Sequence, residues 1–587
     1  MHTFKKLLFL LSPQELKHIS LLLIMIITMA LLDMIGVASI LPFMAVLTNP
    51  SLIDTNNVLN SIFQISNSFG VETNEEFLFF LGILIFFLLI ASLTFKALTL
   101  YTQIRFIRMC EYSIGKRLVA GYLNQPYSWF LSRNSAELGK TILSEVATVI
   151  GNGLYPLIEL IAKSILVISI ISLLFVVDTK LALIAGFSLS CTYLLIFYFV
   201  RNFLSKSGQE RLKNNELRFT LVSEAFSAAK EVKVGGLEET YIKNFSNYAQ
   251  IFAKTIASSL VVAQLPKFIV EAIAFGGILL IILHNMSQTG NFNHTLPIIS
   301  LYVFAGYRLI PALQQIYNSF TQLTFIYPSV DKLYDDLKNL KSSNKNEDQD
   351  VLVFNKTITL NHIHYNYPNT SRIILQDINL TIPVNSTIGF IGSTGCGKTT
   401  AVDIILGLLK PQKGTLEVDG KVITEQNTRA WQRTIGYVPQ HIYLSDDTVA
   451  ANIAFGIEPK NNNQDMINKA SKIANLHQFV ANELPNQYQT VIGERGVKLS
   501  GGQRQRIGIA RALYHNPEVI ILDEATSALD NDTEKAVMDS INNLSKKLTI
   551  ILIAHRLNTL KDCDYIFKLD QGKIINVANS NDLDKLN

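Results

Sequence analysis

Six apolar stretches, near 19–47, 77–104, 147–176, 180–203, 257–284 and 295–324, constrain this chain more than any other feature. About 20 apolar residues in a helix cross the hydrocarbon core of a bilayer. There every backbone polar group must be satisfied inside the helix. Each stretch reaches that length, so six membrane-spanning helices are predicted. Composition agrees, with 49% hydrophobic and only 17% charged residues, whereas the net charge of +4 decides little. The four cysteines (Cys110, Cys191, Cys396, Cys563) show no repeated spacing and read as reduced or membrane-buried thiols. The first stretch is too long for a cleavable signal, and more spans follow it.

Lysine and arginine placement orients the spans. Lys5, Lys6 and Lys17 precede the first, and the 49–76 loop has no basic residue. Residues 105–146 carry Arg105, Arg108, Lys116, Arg117, Arg133 and Lys140. Residues 204–256 are again basic, while 285–294 are not. Both termini are therefore expected on the cytoplasmic side, with two long loops there and a tight external turn at Val177, Asp178 and Thr179. Apolar residues at Val58, Leu59, Ile62, Phe63, Ile65 and Phe69 suit a short amphipathic external helix, or equally a capped loop.

The pattern changes after residue 340. Residues 341–350 are polar and read as a linker between a membrane domain at 1–340 and a second domain at 351–587. There, short β-rich runs alternate with helical stretches, an α/β arrangement. Residues 387–391 read as a buried strand. They lead into Gly392, Ser393, Thr394, Gly395, Cys396, Gly397, Lys398 and Thr399, followed by Thr400. Glycines let such a loop wrap phosphates, and the helix that follows presents its positive end. Lys398 is expected on the β- and γ-phosphates of ATP, and the Thr399 hydroxyl on Mg2+. A second apolar strand at 519–522 ends in Asp523 and Glu524. Asp523 suits the Mg2+ shell, and Glu524 can orient or deprotonate an attacking water.

With these motifs in order, the chain resembles the ATP-binding-cassette exporters along nearly its whole length. The resemblance implies a multi-pass α-helical membrane domain of the type I exporter fold followed by an α/β P-loop nucleotide-binding domain. It assigns Tyr367 to the adenine ring and Gln440 to the metal site. Leu499, Ser500, Gly501, Gly502 and Gln503 match the family signature. There Ser500 and Gly502 contact the γ-phosphate held by a partner cassette, with Gln503 beside them. Ser527, Ala528, Leu529 and Asp530 match the loop that crosses the dimer interface, and His555 matches the γ-phosphate sensor. The run from Thr490 to Gly496 resembles an exporter-specific loop. One cassette cannot complete a site alone, and both halves of the motif set are intact, so a homodimer is expected. Gln125 to Phe130 with Ser135 to Gly139, and residues 224–239, resemble the two coupling regions.

Charges inside spans are expensive and often functional. Here they are Asp33, Lys96, Glu159, Lys163, Lys267, Glu271 and Arg308. Glu159/Lys163 and Lys267/Glu271 lie four apart and can pair along their own helices. Arg308 has no partner nearby in sequence. Lys96, Lys267 and Arg308 are expected to line a cavity and bind an anionic headgroup, for which guanidinium and ammonium groups are suited. Their contexts resemble those of the lipid-linked oligosaccharide flippases, with lysine at two of three arginine positions. That implies outward flipping of a polyprenyl-pyrophosphate glycan across a bacterial inner membrane. Other amphipathic cargo (a lipid A-like lipid, a drug or a peptide) and an ATP-gated channel are the alternatives. Six spans exclude a soluble cassette acting on nucleic acid.

Overall fold

The computed structural model describes residues 2–68, 70–177, 179–288, 296–340, 352–368, 370, 372–525, 529–542, 548–554 and 560–578. Phe69, Asp178, the 341–350 linker, most of the 285–294 loop, Ser527, Ala528 and His555 lie outside them. The chain divides into two compact units. One comprises Met1–Gln125 with Arg133–Ser343, and the other Pro126–Ser132 with Asn344–Asn587.

The first unit is helical. In chain order it has α1 (His2–Leu10), α2 (Pro13–Ala38), α3 (Ile40–Thr48), α4 (Leu52–Thr55), α5 (Asn57–Asn67) and α6 (Asn74–Leu123). Then come α7 (Ser135–Val177), α8 (Thr179–Ser227), α9 (Ala229–Gly235), α10 (Glu238–Gln288) and α11 (Leu296–Asn339). Local chemistry sets several starts. Ser12 and Glu15 form a reciprocal cap on α2, with Pro13 at its first position, and Thr73 and Glu76 do the same on α6.

Five stretches among the described residues are long and apolar enough to span a bilayer: Pro13–Thr48, Asn74–Leu123, Ser135–Val177, Gly186–Ser227 and Glu238–Ile273. The sixth expected span, 295–324, falls on α11, which is helical there and packs Leu301, Ala305, Leu309 and Ala312 into a buried cluster with α2 and α7. The first span is broken at Ser39. Pro42 has no N–H to give the Ala38 carbonyl, so the helix restarts at Ile40. The segment after it is two helices rather than one. Leu59 is buried beside Val46 and Phe77, whereas Val58 and Ile65 are exposed.

The proline within α10 is compensated by a side chain. Pro266 leaves the Val262 carbonyl without its helical donor, and the Tyr317 hydroxyl donates to it at 3.3 Å. One residue along, the Gln314 amide donates to the Ala263 carbonyl at 2.8 Å, while its oxygen accepts from the Tyr193 hydroxyl at 3.1 Å. Gln314 thus joins α8, α10 and α11. Further along, a Cβ on Gly208 would stand 2.0 Å from the Phe325 carbonyl oxygen, so α8 and α11 meet there backbone to side-chain-free backbone.

The second unit carries two sheets. One is antiparallel, ordered β2–β1–β4–β5 from β1 (Thr357–Tyr365), β2 (Leu375–Pro383), β4 (Lys413–Val418) and β5 (Lys421–Val422). Asp419 and Gly420, with φ of 52° and 77°, form the tight two-residue turn between its last two strands. The other is ordered β10–β9–β3–β8–β7–β6, from β3 (Thr387–Ile391), β6 (Ile435–Val438), β7 (Val519–Asp523), β8 (Thr549–Ile553), β9 (Tyr565–Asp570) and β10 (Lys573–Ala578). All its pairs are parallel except β9 with β10. Strands β7 and β8 are buried at every position, as covering on both faces of a parallel sheet requires. Because β3 and β7 flank β8, the loops leaving their carboxyl ends open on the same edge of the sheet.

Candidate functional site

That edge places the phosphate loop. β3 ends at Ile391, and the loop turns into α12 (Lys398–Ile405) through Gly392, Gly395 and Gly397, with φ of 146°, 81° and 110°. Only glycine takes such angles without strain. At Gly392 space is equally decisive, since a Cβ there would sit 2.1 Å from the Leu569 carbonyl oxygen. Cys396, Gly397, Lys398 and Thr400 are buried, while Ser393, Thr394, Gly395 and Thr399 face outward. The Lys398 ammonium bends back over the loop and donates to the carbonyls of Gly392 at 2.8 Å and Ser393 at 3.1 Å. The Tyr367 ring stands edge-on to Tyr365, and its hydroxyl lies 3.1 Å from the Thr400 hydroxyl. The aromatic expected on adenine therefore borders the phosphate loop.

β7 delivers the carboxylates. Asp523 is its last residue and is buried. Glu524 leaves the strand in the left-handed region, at φ 50°, with its N–H donating to the Ile553 carbonyl of β8. The Gln440 amide, two residues beyond β6, donates to the Glu524 carboxylate at 2.8 Å. Two residues distant in sequence thus meet over the same strand ends. The Ser500 hydroxyl caps α13 (Gly501–Leu513), accepting from the Gln503 N–H, while the Gln503 side chain accepts from the Ser500 N–H. This reciprocal cap holds the signature loop against its own helix and leaves Ser500 exposed.

The donor set fits a magnesium nucleotide. The loop turns through three glycines with left-handed angles, and it carries a buried lysine resting on carbonyls that a phosphate can replace. Thr399, Asp523, Gln440 and Glu524 offer hard oxygens, the chemistry Mg2+ takes. Among the described residues no group of three or more His, Cys, Asp or Glu side chains could hold a metal.

One member of this neighbourhood was not legible in the motifs. Asp403, on the inner face of α12, is buried, and its carboxyl is pushed up to about 6 by burial and by the charge of Asp523. Only its spacing from Lys398 could have hinted at it.

In the membrane unit, each of the three cations expected to act together has charged neighbours. Lys267 pairs with Glu271 on its own helix at 3.8 Å. Glu159 likewise reaches Lys163 at 3.8 Å and accepts from the Gln103 amide at 3.0 Å. Arg308, with no partner nearby in sequence, has one 275 residues away: its Nη1 donates to Asp33 Oδ1 at 3.1 Å. Lys96 is half-buried and has Asp33, Arg308, Glu159 and Lys163 as charged neighbours.

Comparison with known proteins agrees with this geometry. Residues 19–305 match the family model for the ABC transporter transmembrane region, and residues 375–527 that for the ABC transporter. An ATP-dependent lipid A-core flippase of Syntrophus aciditrophicus is 30% identical over 477 residues, covering 79% of this chain and 77% of that protein. P-glycoprotein 14 of Caenorhabditis elegans is 38% identical over 230 residues, covering 39% of this chain but 17% of its own greater length. Among solved structures, a bacterial Atm1-family ABC exporter with ATP bound superposes with a TM-score of 0.77 over 97% of each chain, at 21% identity. The chain belongs to the ABC transporter family, as a half-transporter of the exporter type that couples ATP hydrolysis to translocation across a membrane.

Proposed function

We propose that the chain exports an anionic amphipathic lipid, in the first place a polyprenyl-pyrophosphate-linked oligosaccharide, from the cytoplasmic to the outer leaflet of a bacterial inner membrane. The observation that carries this reading is Arg308. It lies within α11, one-fifth exposed, and it holds a single carboxylate oxygen while Lys96 stands nearby. A guanidinium placed so is suited to phosphate. Relatives named as lipid A-core flippases support lipid cargo and make a lipid A-like molecule the second reading.

The motor reading assigns Glu524 to the attacking water, Lys398 and the 392–400 loop to the phosphates, and Thr399, Asp523 and Gln440 to Mg2+. Ser500 and Gly502 complete the site of a second copy, so the working unit is a homodimer. His555 is assigned to the γ-phosphate.

The test is ATP-dependent movement of the glycolipid in proteoliposomes, with Glu524→Gln as the inactive control. Wild-type transport is expected, with Arg308→Glu losing transport but keeping basal hydrolysis. Hydrolysis without glycolipid movement in the wild type would remove this cargo and leave the lipid A-like one to be tried.

A further inference from the structure

Asp33 is a confined charge in the membrane unit. Its side chain is fully buried in a single chain, so a lipid or a second copy can only bury it further. Its Oδ1 accepts two donors, the Ser92 hydroxyl at 3.0 Å and Arg308 Nη1 at 3.1 Å. Its Oδ2 has no hydrogen-bond partner among the described residues. A guanidinium commonly grips a carboxylate through two parallel bonds, and this one uses one. A buried acceptor left without a donor is unfavourable, and so is a buried ion pair whose geometry is incomplete. The contact is thus strong enough to hold Arg308 and weak enough to be exchanged.

We infer that Asp33 is a resident counter-ion that occupies Arg308 until cargo arrives, and so sets which anionic headgroups this arginine accepts. The inference rests on the reading that Arg308 receives the headgroup. A phosphate group offers more acceptor oxygens to the guanidinium fork than the single oxygen Asp33 supplies. A pyrophosphate offers more again, and can draw Arg308 away. A weaker anion leaves the pair closed.

The exchange need not strand a lone carboxylate. Ser92 keeps its hydrogen bond to Asp33. Lys96, four residues further on the same helix and therefore on the same face, already has Asp33 as a charged neighbour. Glu159 and Lys163 on α7 also face Lys96 and balance each other. Asp33 acts through Arg308 and is a positioning residue for headgroup selection.

The test uses full-length protein in zwitterionic proteoliposomes. Two probes of equal chain length, a polyprenyl monophosphate and a polyprenyl pyrophosphate, are compared by the concentration that half-maximally changes ATPase rate. Wild type is expected to favour the pyrophosphate. Asp33→Asn removes the competitor, and the preference should narrow by about tenfold or more, the scale of one charge-assisted hydrogen bond. Asp33→Glu should keep the wild-type ratio. Ser92→Ala keeps both charges but leaves Oδ1 to Arg308 alone, so the preference should widen. That variant also decides the matter if Asp33→Asn does not fold. An unchanged ratio in both Asp33→Asn and Ser92→Ala, with Arg308→Gln unresponsive to either probe, overturns this inference and leaves the headgroup reading standing. An Arg308→Gln protein that responds to pyrophosphate like wild type overturns both.

Discussion

The Arg211 guanidinium donates to the Glu145 carboxylate at 2.5 Å, with both side chains only 3% exposed. The pair ties α8 to α7. The same Arg211 nitrogen reaches the Ser329 hydroxyl on α11 at 2.7 Å, and the Asn215 amide takes the other Glu145 oxygen at 2.7 Å. Glu145 ends one of two π-helical turns in α7, at Thr141–Glu145 and Ile150–Leu154. Such turns widen the helix locally and re-aim its side chains. Removing one partner leaves the other charge buried alone, so Glu145→Ala should lower stability by roughly 3–5 kcal/mol. Replacing both, as Glu145→Leu with Arg211→Met, should restore much of that loss. Thermal melting of the purified full-length protein in detergent measures both. Equal losses from the single and double variants would refute the pairing account.

Gln314 serves three helices where Tyr317 serves one carbonyl. Tyr317→Phe should therefore cost only about 0.5–1 kcal/mol. Gln314→Leu should cost more, because it removes the bond to the Ala263 carbonyl and also the acceptor of the buried Tyr193 hydroxyl. The same melting assay orders the two, and a larger loss in Tyr317→Phe would contradict the assignment.

Glu524 is held by Gln440 and by its own left-handed backbone. Glu524→Gln should slow ATP hydrolysis by about 10²–10⁴-fold, the range for loss of a positioned general base. ATP binding should survive it. Lys398→Ala should lose nucleotide affinity instead. Single-turnover hydrolysis with a separate nucleotide-binding measurement distinguishes the two defects.

Asp403 makes stability depend on pH. Its folded pKa, about 6, stands above the usual carboxylate value, because burial and Asp523 disfavour the charge. A raised pKa contributes stability that is fully present below the unfolded value and is lost as pH rises through the folded one. By pH 8 the ionised carboxyl should cost roughly 2–3 kcal/mol. Asp403→Asn should accordingly melt higher than wild type at pH 8 and close to it at pH 4. No change in that difference across the range would exclude the effect.

The phosphate loop was readable because its requirements are local. Glycines at 392, 395 and 397 meet backbone angles that neighbouring residues impose, and the strand before them is a continuous apolar run. Apolar helix was equally readable, since bilayer thickness sets its length whatever the helix later touches. The break at Ser39 is not legible in the sequence, because a proline in a span can be absorbed as a kink or end the helix, and neighbouring packing selects between them. Asp403 is not legible in the sequence, because its burial beside Asp523 depends on how α12 lies against β7.

By itself the amino-acid sequence determined the two-part architecture and the motif order of the cassette. These depend on hydrophobic length, on period and on residues a few positions apart. Only the tertiary structure decided the partners of the charges. Arg308 looked unpaired in sequence and lies on Asp33, Arg211 and Glu145 are 66 residues apart, and Gln440 and Glu524 are 84 apart. Coulombic and hydrogen-bond energies act over a few ångströms. Which groups come that close is set by helix rotation and strand order, which sequence spacing does not encode.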